Sequence, residues 1–292
     1  MPEAVSIGEK PRGQDFTFKF RKGEWAEALL LKTIKRHDDL VPIQYGVSRD
    51  DTLYTESGLD EVKEDNVTEL KRPDILVFKE ADLMDTPAID YDRLLQYNDE
   101  DPDARAEILP EIESEVVINT AVMAVEVEAS VFNISERPDA YSSLSTYVKT
   151  EDYPRLANWR MKFDDVPLYV CQLFFDRGFI VPFTGIETHA DEYRETGSVM
   201  APGFVQDEIP GIGKEGYCIS LDRYPGAIEF GEIVESPRVV KQFDGDRHDI
   251  EYTWTAGGRL TTVDDSITDP HFHEGAFADS AVEALSNYAI DS

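Results

Sequence analysis

The stretch "EVVINTAVMAVEVEASVF", residues 115 to 132, constrains this chain more than any other. Its small and β-branched apolar residues read as a long buried strand. Two acids, Glu126 and Glu128, break the apolar run near its end. Side chains two apart on a strand share a face, so the carboxylates point the same way, roughly 7 Å apart, while Val125 and Val127 face the core. Ionised acids in that setting need a compensating cation or a proton. Acid-x-acid triplets also arise by chance in so acidic a chain, as "EIE" at 111–113 shows, but that triplet lies in a polar connection. The pair at 126 and 128 closes an apolar strand and is followed by the small residues Ala129 and Ser130.

A third acid comes from "KRPDILVF", where Asp74 follows Pro73 and opens an apolar strand carrying Ile75, Val77 and Phe78. If the two strands are neighbours, Asp74, Glu126 and Glu128 converge. Such a set of hard oxygen donors suits Mg²⁺, with water completing the octahedron and the backbone carbonyl of Val127 as a further ligand. Upstream, "KGEWAEALLLKTIKRH" carries Trp25, Leu29, Leu30, Leu31 and Ile34 at helical spacing after Gly23. Glu27 shares a face with Leu31 and Ile34, an odd place for a solvated acid, and is a fourth candidate. Glu24 lies in the first turn, where the helix dipole favours any acid.

Further along, "LVPIQYGV" and "DTLYT" read as short strands, and residues 80–114 as a polar surface connection with a short helix. "PDAYSSLSTYVKT" and "YPRLANWRMKF" read as helical pieces, with Pro154 in the first turn of the second. "VPLYVCQLFF", the turn "DRG" and "FIVPF" read as a buried strand running into a partner. The fold class expected is therefore α/β (α+β), a sheet flanked by helices. Beyond residue 186 Gly and Pro become frequent, and "GYCISL" and "EYTWT" mark a β-rich extension closed by a short helix in "ADSAVEALSNYAI". The expected division is a core over 1–185 and an extension over 186–292.

Sixty acids against 28 bases give a net charge of −32, spread along a chain with 41% apolar residues. That balance describes a folded protein with a carboxylate-rich surface suited to concentrated salt, which points to a halophilic source. The two cysteines, Cys171 and Cys218, read as core residues in a reducing compartment. No segment approaches a membrane span, so no membrane partner and a cytoplasmic location are expected. "DPHFHEG", with His271 and His273, reads as a polar surface loop, Ser130 has no adjacent His to activate it, and no Gly-rich phosphate loop is present.

An Asp at a strand start, an acid-x-acid on the next long strand, then a helix and a further strand resemble the PD-(D/E)XK nucleases. The residues that match are "RPD" ending at Asp74 and "EVE" at 126–128. The third position is usually lysine in that superfamily, and Glu128 is a departure known from the BamHI-type enzymes. "KGEWAEALLLK" is also similar to the opening helix of type II restriction endonucleases, the HpaII-like group among them. "EVEAS" with "NWRMKFDDVPLYVCQLFFDRGFIVPF" looks most like the AccI-type enzymes. The resemblance covers roughly residues 20–185. It implies a restriction-endonuclease-like core with a central mixed sheet, and Mg²⁺-dependent hydrolysis of phosphodiester bonds with Asp74 and Glu126 on the metal. Glu128 would bind metal or accept a proton, and Lys149, expected on a helix, could supply the missing positive charge.

The expected partner is double-stranded DNA, cut by a homodimer with one active centre per chain. Basic residues that could line a backbone groove are Arg21 and Lys22 in the N-terminal basic stretch, and Arg155, Arg160 and Lys162 after the strand pair. Two other readings stay open: a repair or mobile-element nuclease of the same fold, and a non-catalytic acidic protein that mimics DNA.

Overall fold

The "EVVINTAVMAVEVEASVF" segment ends in the longest strand of the computed structural model, which describes residues 23, 25–35, 39–46, 70–86, 90–99, 102–130, 134, 144–198, 203–208, 214–233, 237–243 and 250–256. Arg21, Lys22, the "DTLYT" segment, His271, His273 and the "ADSAVEALSNYAI" segment lie outside the described residues. In chain order, α1 (residues 25–34) precedes β1 (Leu40–Gln44), β2 (Ile75–Lys79), α2 (Pro102–Ile112) and β3 (Ala121–Ala129). Then come β4 (Ser145–Lys149), α3 (Tyr153–Lys162), β5 (Leu168–Leu173), β6 (Arg177–Pro182) and α4 (Phe183–Thr196). The remaining strands are β7 (Phe204–Glu208), β8 (Glu215–Ser220), β9 (Ile228–Glu232), β10 (Pro237–Phe243) and β11 (Ile250–Ala256).

A six-stranded mixed sheet runs in the order β1-β2-β3-β5-β6-β9. The β3–β5 pair is parallel, and the other neighbouring pairs are antiparallel. Parallel neighbours need a crossover, and α3 lies on the segment that makes it. Helices cover both faces. On one, Leu76, Phe78, Ala124 and Val170 pack with Leu156 and Trp159 of α3 and Phe183 and Ile186 of α4. On the other, Ile75, Val77, Met123, Val125 and Cys171 pack with Trp25, Leu29, Leu30 and Ile34 of α1. Consecutive strand residues thus alternate between two apolar layers, which is why β5 is buried at every position. Each such fully buried aliphatic or aromatic side chain contributes about 1.5–3 kcal/mol. The resulting fold is the mixed α/β class expected, with a restriction-endonuclease-like arrangement of the sheet.

Several local readings are corrected. Residues 145–149 form a strand, not a helix: Thr146 and Val148 are buried while their neighbours are half-buried, a period of two, and the strand pairs with β8. Lys149 consequently ends a strand. The 80–114 connection is largely helical, with Glu80–Met84 and Tyr91–Gln96 before α2, because Leu83, Leu94, Ile108 and Ile112 reach the core. Cys171 is buried as expected, but Cys218 is only half-buried; neither is in a disulfide. Both faces of β3 are covered by apolar layers. Ala124, on the side of Glu126, is fully buried, so the acid pair emerges from a strand covered on both faces.

The chain beyond residue 186 supplies β9, an edge strand of the main sheet, the strands β7 and β8 that pair with β4 in the antiparallel array β4-β8-β7, and the antiparallel pair β10-β11. Among the described residues no helix is long and apolar enough to cross a membrane.

Candidate active site

The antiparallel register places Ile75 opposite Val125, so Asp74, just before β2, comes abreast of Glu126 on β3. A backbone hydrogen bond fixes the distance: the Val127 amide donates to Asp74 Oδ2 at 2.7 Å. From the other side the amides of Tyr45 and Gly46 donate to the Asp74 carbonyl at 2.8 and 3.0 Å. Gly46 is required there, because a Cβ would come 2.9 Å from Asp74 Cα and 3.0 Å from its Oδ1. The loop after β1 and the strand β3 together clamp Asp74.

Glu126 is 4% exposed, and its Oε2 is buried without a hydrogen-bond partner. Its Oε1 is held by Lys71 Nζ in a short ion pair. Lys71 also lies 3.6 Å from Asp152 Oδ2, immediately before α3, and Lys149 Nζ donates to the same oxygen at 3.3 Å. The backbone beside Lys71 is fastened to α3, since its amide donates to the Arg155 carbonyl at 3.2 Å and Arg155 Nη2 donates to the Leu70 carbonyl at 3.3 Å.

The electrostatics show a site with more acid than base. Burial, then Glu126 and Glu27, push the Asp74 carboxyl well above the usual carboxylate range, against the pull of Lys71 and the Val127 amide. Burial also raises Glu126, with Lys71 drawing it back and Glu128 and Asp152 adding to the rise. Burial disfavours the Lys71 ammonium, yet Glu126, Asp152 and Asp74 outweigh it and hold the lysine protonated. Asp152 resists burial through Lys71 and Lys149 and stays below its ordinary value. Glu27 reaches this group from α1 and accepts from Gln44 Nε2 at 3.3 Å, while Arg105 Nη1 donates to Gln44 Oε1 at 2.8 Å.

Of the expected site residues, Asp74, Glu126 and Glu27 lie close enough to perturb one another, and Glu128 follows Glu126 at a half-buried position. Among the described residues no three His, Cys, Asp or Glu side chains are grouped tightly enough to hold a metal ion between them. The acids are neighbours in pairs. Mg²⁺ commonly takes only one or two protein carboxylates and fills its octahedron with water and substrate phosphate. The partnerless Oε2 of Glu126 beside the clamped carboxylate of Asp74 fits that pattern.

The basic residues divide. Arg160 is in an ion pair with Glu187 of α4, Arg155 bonds the Leu70 carbonyl, and the exposed Lys162 lies over the Phe163 ring at 4.9 Å. Sequence reasoning missed Lys71, Asp152 and Gln172. Lys71 stands in the same "KRPD" run as Asp74, in a polar lead-in where a lysine has no local pattern to mark it. Gln172 is fully buried opposite Glu128 on β5, with Oε1 unpartnered, and a lone polar residue within "LYVCQL" was the signal for it.

A mixed sheet that sets a buried acid on a central strand abreast of a half-buried acid just before the neighbouring antiparallel strand, with helices on both faces, matches the restriction-endonuclease-like class of cores. Residues 10–140 match the family model described as AccI restriction endonuclease. That segment includes Glu27, Lys71, Asp74, Glu126 and Glu128, and it makes this chain similar there to the type II restriction endonucleases. Searches of curated proteins and of solved structures return no match.

Proposed function

We propose that this chain is a Mg²⁺-dependent, sequence-specific endonuclease of double-stranded DNA that works as a type II restriction enzyme. The observation that carries the reading is Glu126: a buried carboxylate on a central strand, one oxygen unpartnered, abreast of the half-buried acid Asp74. Asp74 and Glu126 would hold the divalent cation, with Glu128 and the Val127 carbonyl beside it. When bound, Mg²⁺ polarises the scissile phosphate and lowers the pKa of a coordinated water. The chain's own part is to keep two acids oriented before DNA arrives and to exclude water around them. Because Asp74 is clamped by backbone amides, little reorganisation is left for the reacting complex.

Arg155 and Lys162 near the N-terminal and C-terminal ends of α3 are the phosphate contacts this reading favours, together with Arg21 and Lys22; Arg160 would have to leave Glu187, and Lys149 to leave Asp152, to join them. Cutting both strands at a near-symmetric site calls for a homodimer. The arrays β4-β8-β7 and β10-β11, from the 186–292 part and its partner strand, are the surfaces assigned to target recognition or dimer contact. A net charge of −32 fits work in concentrated salt, where steering by phosphate attraction is screened and base contacts carry more of the affinity.

The test is a plasmid digest with Mg²⁺ across low to molar KCl, comparing wild type with Asp74→Ala and Glu126→Ala. Discrete fragments from wild type alone support the reading. A smear replaces it with a general or repair nuclease. Plasmid left intact by wild type at every salt and with Mn²⁺ as well rejects nuclease activity.

A further inference from the structure

Most of the acids at this site can be traced to the reaction proposed above, but its one deeply engaged lysine cannot. The Lys71 side chain is 21% exposed, and it is tied at both ends of its reach. Its backbone is bonded to the Arg155 carbonyl on α3 at 3.2 Å, and its ammonium bridges Glu126 Oε1 and, at 3.6 Å, Asp152 Oδ2. Asp152 is in turn held by Lys149 at 3.3 Å. A surface lysine that met an acid by chance would not be fixed through three elements of the fold. Glu126 is therefore asymmetric: one oxygen is occupied by a cation of the chain itself, and the other is buried without a hydrogen-bond partner.

We propose that Lys71 is the positioning cation of this site, holding Oε1 of Glu126 so that Oε2 is kept for a divalent cation shared with Asp74. The proposal rests on the metal-dependent nuclease reading for its meaning, but its first measurement needs no DNA. A lysine retained on the carboxylate that also binds the metal places two cations on one acid. Their repulsion weakens metal binding in the free protein. The same arrangement puts a second fixed positive charge next to the phosphate when DNA is bound, where negative charge builds on the non-bridging oxygens. Glu128 cannot provide that charge, and Lys149 is engaged with Asp152.

Removing the lysine's charge should therefore move two properties in opposite directions. Mn²⁺ is titrated calorimetrically into DNA-free wild type, Lys71→Met and Lys71→Arg, and plasmid cleavage with Mg²⁺ is timed for the same proteins. Lys71→Met is expected to bind Mn²⁺ several-fold more tightly, yet cut at least about 10²-fold more slowly. Lys71→Arg, which keeps the charge, is expected to stay within a few-fold of wild type in Mn²⁺ affinity and to recover part of the rate. Weaker or unchanged Mn²⁺ binding by Lys71→Met, or cleavage at the wild-type rate, overturns the proposal. A lysine that only supports the fold would lower both properties together. If Lys71→Met does not melt cooperatively, Lys71→Gln, which can still donate to Oε1 without charge, is read in its place by the same criteria. If wild type cuts no DNA, the nuclease reading fails by itself, and the Mn²⁺ titration still decides the role of Lys71.

Discussion

Two half-hidden ion pairs flank α3, and they have different surroundings. Arg160–Glu187 joins α3 to α4, one cation to one acid; burial and then Asp191 raise Glu187, and Arg160 draws it back. Lys71–Glu126 joins the segment before β2 to the middle of the sheet, and Asp74, Glu128, Glu27 and Asp152 all add negative charge around it. The first pair is balanced and tethers two helices. The second leaves more acids than cations close together among the described residues, a costly arrangement of the kind that clusters at functional sites.

The sharpest way to break the comparison is to remove one acid from each pair. Glu126→Gln is expected to lower cleavage by at least about 10²-fold while leaving thermal stability unchanged or raised, because it removes an acid from an overloaded group. Glu187→Gln should do the reverse: cleavage near wild type, and a loss of about 1–2 kcal/mol in denaturant unfolding as Arg160 loses its charged partner. If both substitutions cost stability and spare activity, the two pairs are of one kind and the contrast is empty.

The next largest effect is that of the metal on stability. A cation that binds the folded site and not the unfolded chain stabilises by about 2.7 kcal/mol at a hundred times its dissociation constant. Mg²⁺ should raise the melting temperature of wild type and of Glu187→Gln, and should not raise that of Asp74→Asn beyond the effect of matched ionic strength. Melting curves with Mg²⁺ against equal ionic strength of KCl read this directly.

A smaller effect lies in the pH dependence. Asp74 is raised in the folded protein, chiefly by burial, so between its ordinary carboxylate range and its raised folded value the native state holds a proton that the unfolded chain has lost. In that window stability falls as pH rises, and above it the full cost of the buried charge is present. Asp74→Asn should flatten this part of the unfolding free energy against pH and be more stable than wild type at neutral pH without metal. A wild-type curve that rises through the window would contradict the assignment.

These contrasts also mark what could be read from the residues alone. β3 was legible because an apolar run with two intruding acids has few places to go, and α1 because Trp25, Leu29, Leu30 and Ile34 keep a helical period. Asp74 was legible from its place ahead of "ILVF". Residues 145–149 were misread as helix because "SSLSTYVKT" is polar on one face of a short strand, and only pairing with β8 decides between the two. Lys71 was not legible at all. Its partner Glu126 is far along the chain, and nothing in local spacing reveals that the antiparallel pairing of β2 with β3 carries the segment before β2 alongside that acid. Long-range ion pairs follow from topology, not from pattern.

Glu27 gives the mildest test of the same contrast, because its effect on Asp74 is one of charge, smaller than those of burial and Glu126. It is half-buried on α1, accepts from Gln44 at 3.3 Å, and raises Asp74 less than burial and Glu126 do. Glu27→Gln keeps the shape and the bond to Gln44 can reform through the new amide oxygen, while one negative charge leaves the group. The Asp74 carboxyl should then ionise at lower pH, so the stability slope described above moves to lower pH by a fraction of what Asp74→Asn removes. Cleavage should change by less than about tenfold if the acid serves only to load the site electrostatically. A loss as large as that of Glu126→Gln would instead place Glu27 on the metal itself, and the excess of acid would then have to be counted as three ligands. The midpoint of the low-pH arm of the cleavage rate, measured for wild type and Glu27→Gln at fixed ionic strength, separates the two outcomes.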